Sequence, residues 1–149
     1  MNLLKKILLL FLTPLSLYAG SAEAVIECRS GSGRTVLKFF DQDIDGEFRG
    51  GTLSIDKKKI KYKSPMDVDK NMAWMAVNLK EGVYTLIYED KDSYLNFYAI
   101  PRTMKKIKKE EFDAYYKFNA IIDWRSTDPR TNNILDKKIW LGCTIKYAV

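Results

Sequence analysis

Two runs of strict alternation constrain this chain more than anything else in it. Across residues 115–124, Tyr116, Phe118, Ala120, Ile122 and Trp124 fall on one side of an extended backbone. Tyr115, Lys117, Asn119, Ile121 and Asp123 fall on the other. Across residues 139–147, Ile139, Leu141, Cys143, Ile145 and Tyr147 share a side. Side chains alternate with a period of two in a strand, whereas a helix face recurs every ~3.6 residues. Both runs therefore read as strands with one face in a core and one in solvent.

The same patterning predicts strands over residues 35–40, 47–55, 59–63, 72–79, 83–89 and 94–100, with a first strand around Ile26 and Cys28. Turn chemistry separates them: Gly31-Ser32-Gly33, Lys80-Glu81-Gly82, Asp90-Lys91-Asp92-Ser93 and the loop from Asp128 to Asn133. Gly50-Gly51 inside a strand signals a bulge or sharp bend. Residues 103–112 differ. They are rich in helix formers behind a capping Thr103, and predict one short helix. The expected fold is all-β: a small antiparallel barrel or sandwich of about eight or nine strands, with one short helix at most.

The start of the chain has the form of an export signal. Lys5 and Lys6 precede an apolar run over residues 7–18, and Ala22-Glu23-Ala24 has the small-x-small pattern of a cleavage site. The run falls short of the ~20 apolar residues of a membrane-spanning helix. The expectation is a leader over 1–24 and one working domain over 25–149, secreted or periplasmic, with no transmembrane segment in the mature chain. In that oxidising setting Cys28 and Cys143, the two cysteines, are expected to form a disulfide joining the first strand to the last. Both fall on inward-facing positions of their strands.

Composition bears on chemistry. The chain has no histidine, which removes the usual general base, the usual metal ligand and the Ser-His-Asp or Cys-His nucleophile. Two cysteines are too few for a thiolate zinc site. Acid–base work would fall to carboxylates such as Glu110 with Glu111 or Asp123 with Asp128, and no spacing singles them out. No cofactor is expected beyond weak calcium. The net charge of +6 favours anionic partners.

Three features are candidate sites. Asp41-Gln42-Asp43-Ile44-Asp45-Gly46 resembles the opening of an EF-hand calcium loop, which implies Asp41, Asp43 and Asp45 as side-chain ligands and Glu47 through its carbonyl. The resemblance ends there: Thr52 stands where that loop needs a bidentate glutamate, and the flanks read as strands. Lys105, Lys106, Lys108 and Lys109 form a basic cluster, and Lys57, Lys58, Lys59, Lys61 and Lys63 a second one suited to protecting an edge strand. Trp140 sits between inward Ile139 and Leu141, so it points outward, where a tryptophan can anchor a partner or lie under the helical segment. The expected function is a non-catalytic, protein-binding domain of the cell envelope: an inhibitor, or an immunity-type partner of a toxin or lytic enzyme. The alternatives are a module for acidic glycan or lipid surfaces, and a small carboxylate-dependent hydrolase. Nucleic acid is not an expected partner.

Overall fold

The computed structural model describes residues 22–68, 70–128 and 130–148. The predicted leader up to residue 21 lies outside them. The ten strands are β1 (Glu23–Arg29), β2 (Thr35–Gln42), β3 (Glu47–Ile55), β4 (Lys58–Tyr62), β5 (Met72–Asn78), β6 (Val83–Glu89), β7 (Ser93–Ala99), β8 (Lys105–Lys106), β9 (Ala114–Thr127) and β10 (Ile134–Tyr147). They form one antiparallel sheet in the order β4-β3-β2-β1-β10-β9-β7-β6-β5, with β8 pairing onto β9. The sheet curls into a half-barrel, and β3 comes up against β5.

The alternation places the core. Ile26, Leu37, Phe39, Leu53, Leu86, Phe97, Ile122 and Ile145 all project into the concave side and are buried. A chain of tilted and edge-to-face aromatic contacts runs through it, from Phe39 to Phe97 at 5.3 Å and from Phe97 to Phe118 at 6.3 Å. β1 and β10 are direct neighbours, and Cys28 stands opposite Cys143. Their Cα atoms are 4.1 Å apart and the disulfide is formed, buried on the core side. It links positions 115 residues apart, a closure worth about 4–5 kcal/mol in the chain-entropy model.

One local feature depends on glycine. The ladder between β2 and β3 slips between Phe39 and Asp41, so Arg49 and Gly50 together oppose Phe40. Gly50 takes φ +110°, and a Cβ there would stand 3.2 Å from the Tyr62 carbonyl oxygen. The bulge predicted from Gly50-Gly51 is present.

The predicted helix over 103–112 is not. No residue of that segment is helical. Lys105 pairs with Lys117 and Lys106 with Tyr116, giving the tenth strand. The Thr103 hydroxyl donates to the Ile100 carbonyl and accepts from Asn119 N–H, and Ile107 N–H donates to the Tyr115 carbonyl. Bonds to β9 replace those a helix would have made within the segment, so tertiary pairing overrides local propensity. With the helix goes the option of Trp140 lying beneath it.

β1 begins before residue 25. Ala24 is fully buried and pairs with Asp41, and Asp43 N–H donates to the Ala22 carbonyl at 3.1 Å.

Candidate functional site

β10 and β9 run side by side for fourteen residues, and their register carries the outward side chains into rows. Trp140 stands opposite Ile121, which stands opposite Tyr98 on β7, then Thr85 on β6 and Ala76 on β5. This row crosses five strands without a charge. The next row runs Lys138, Asp123, Asn96, Ile87 and Trp74. Its one acid and one base form an ion pair at 3.6 Å. Trp140 is 64% exposed and Trp74 57%. They mark the two ends of an outer face four strand spacings wide, or about 19 Å.

Beyond Trp140 the next outward position on β10 is Gly142. It stands opposite Asn119 on β9 and Arg29 on β1. Its φ is ordinary, and a Cβ there would meet only the Arg29 carbonyl oxygen at 4.0 Å. Neither backbone nor space demands glycine. Its effect is to leave a depression of about 410 Å³, lined by Lys105, Lys117, Asn119 and Thr144 among others. Among the described residues no carboxylate pairs with Lys105 or Lys117 within 4.0 Å. The arrangement is an exposed indole between an apolar strip and an uncompensated cationic hollow. It offers a face for stacking or apolar contact and charges for an anion.

The basic cluster is divided by the strand it forms. Lys105 joins the Trp140 face, whereas Lys106 lies over the Tyr116 ring at 6.0 Å on the other side of the strand. Lys109 covers the Tyr115 ring at 4.3 Å, and Lys108 is exposed on the same connection. Sequence parity finds Trp140. Arg29, Lys117, Gly142 and Trp74 join it only through the register of strands far apart in the chain.

The aspartates of the β2–β3 turn are engaged by the turn's own backbone and by neighbouring hydroxyls. Asp41 is fully buried. One of its oxygens accepts Gly46 N–H at 3.0 Å and Glu47 N–H at 2.9 Å, and the other accepts the Tyr84 hydroxyl at 2.7 Å. Burial raises its pKa, against the pull of those donors. Asp45 accepts Glu47 N–H at 3.1 Å, and Asp43 takes φ 54° with the Tyr147 hydroxyl 3.4 Å away. Among the described residues no group of three potential ligands could hold a metal ion. Of the carboxylates considered for catalysis, Asp123 is paired with Lys138, Asp128 accepts Arg130 N–H at 2.8 Å, and Glu110 and Glu111 are exposed on the β8–β9 connection.

A second hollow, about 440 Å³, lies on the other half of the sheet between Phe40, Arg49, Lys61 and Lys63. There Glu47 neutralises Arg49 at 3.1 Å and Asp67 stands on the wall. No exposed tryptophan borders it.

No protein-family model, curated protein or solved structure matches the chain.

Proposed function

We propose that this protein is a non-catalytic binding domain that captures an acidic protein surface on the outer face around Trp140, acting in the cell envelope as an inhibitor or immunity-type partner. The observation that carries the reading is Trp140 itself. It is largely exposed, at the junction of an uncharged strip and a hollow whose lysines have no carboxylate partner among the described residues. Large aromatics in such positions dominate binding energy, while surrounding charges steer the encounter. The buried disulfide supports an oxidising compartment. The composition, without histidine or a free thiol, supports binding over covalent chemistry.

The hollow beside Trp140 supports a second reading, an acidic glycan stacked on the indole. One experiment separates the two. A photo-crosslinking residue is placed at the exposed Asn119, in the hollow beside an intact Trp140, and in a control at Lys61, and the protein is exposed to envelope extract with and without excess acidic polysaccharide. The protein reading predicts a discrete polypeptide adduct from position 119 alone, abolished by Lys105→Glu/Lys117→Glu and insensitive to the polysaccharide. Adducts equal from both positions would remove Trp140 from the site. Loss of adduct to the polysaccharide would favour the glycan.

A further inference from the structure

β10 is half uncovered. β1 pairs with it only from Gly142 onward, so among the described residues Ile134–Leu141 has β9 on one side and no strand on the other. The open edge is apolar at both ends: Ile134 is 67% exposed, Leu135 41%, and Trp140 is described above. An edge of this length and character invites another strand.

We infer that this edge is where two copies of the chain join, β10 against β10, antiparallel about a two-fold axis at Lys137. The argument is the sequence Ile134-Leu135-Asp136-Lys137-Lys138-Ile139-Trp140, which is complementary to its own reverse. With Lys137 facing its copy, Asp136 faces Lys138, Ile134 faces Trp140 and Leu135 faces Ile139. The outward positions 134, 136, 138 and 140 pair only with each other, and the inward positions 135 and 139 likewise, so each face stays continuous across the joint. The neighbouring registers are poorer. A shift by one residue sets outward side chains against inward ones. Moving the axis to Asp136 or to Lys138 sets like charges directly opposite on the outer face, which is destabilising. Each of these charges has a partner within its own copy, Lys137 with Asp56 at 3.2 Å, Asp136 with Arg125 at 3.2 Å and Lys138 with Asp123 at 3.6 Å, so the register rests on the facing pairs: only the Lys137 axis sets Asp136 against Lys138 twice and apolar against apolar at both ends. The chain also clears the joint: Asp128 N–H donates to the Asn133 carbonyl at 2.9 Å, turning the strand start back toward β9. Such an isologous pairing would run the outer faces of two half-barrels into one sheet and bring two Trp140 faces together. It shares Trp140 with the partner site proposed above, but its test reads oligomeric state alone and can fail without that reading failing.

The test is the oligomeric state of the oxidised protein, by sedimentation equilibrium over a concentration series. The expected result is a reversible dimer. Ile134→Lys and Trp140→Glu, both at exposed positions, should each lose the dimer and stay folded by circular dichroism. The pair Ile134→Lys/Trp140→Glu should restore it, because the introduced lysine of one copy then faces the introduced glutamate of the other. Lys137→Cys should give a reducible covalent dimer, since directly opposed Cα atoms lie about 4.5–5.5 Å apart. A wild-type monomer at every concentration overturns the proposal. A dimer indifferent to Ile134→Lys, or one that the double variant fails to restore, also overturns it. A dimer without the Lys137→Cys bridge overturns the register.

Discussion

Each oxygen of Asp41 is already taken, by two turn amides and by Tyr84. A carboxylate that sequence spacing presents as a ligand therefore serves to hold the β2–β3 turn against β6. Asp41→Ala would leave three donors unsatisfied in the core and should cost about 3 kcal/mol in chemical denaturation. Asp41→Asn retains a carbonyl for the amides and a nitrogen that can donate to Tyr84, so it should cost much less. The two also differ in pH response. With its pKa raised by burial, folded Asp41 keeps its proton to a higher pH than the unfolded chain does. Its contribution to stability therefore falls as pH rises from the ordinary carboxylate value through the raised one. Melting curves between about pH 3 and 7 should show that fall in the wild type and lack it in Asp41→Asn. Gly142 is the converse case, a residue the fold does not require. Gly142→Val should hold or raise stability, by about 0.5–1 kcal/mol, because valine suits a strand and space is open. The same change should fill the hollow and weaken partner binding. A valine variant that unfolds would show that the glycine is structural after all.

Strands were legible wherever one face was buried and the other wet, because alternation is then visible without knowing the neighbours. Nine of the ten follow from it. The tenth, β8, is two exposed lysines whose only signal is their pairing with β9, and local composition pointed to a helix instead. The start of β1 also eluded the sequence, since Ala22-Glu23-Ala24 has the small-x-small form of a cleavage site and carries no alternation of its own. The buried Ala24 and its pairing with Asp41 lead to a prediction: if a leader is cleaved, the cut falls upstream of Glu23. N-terminal sequencing of exported protein checks this directly. A chain made to begin at Val25 should melt lower, having lost two ladder positions beside Asp41. If export yields Val25 as the first residue and that form is fully stable, the edge of β1 is dispensable.

For the whole molecule, the disulfide is the element that sequence and structure share most closely: two cysteines on inward faces, in strands that prove to be neighbours. Reducing it, or substituting both cysteines, should cost about 2–5 kcal/mol while leaving the strand content unchanged by circular dichroism. The binding face was only partly legible. Trp140 showed itself through parity, but the strip to Trp74 and the hollow at Gly142 exist only once β10 lies between β1 and β9. The central claim is that this face does the protein's work. Its most direct test is the affinity of Trp140→Ala for the partner crosslinked at position 119, with monomer and dimer fractions held equal. A hot spot there predicts a loss of about 2–4 kcal/mol, or roughly 30- to 1,000-fold in Kd, with folding unchanged. Binding equal to wild type would contradict the account.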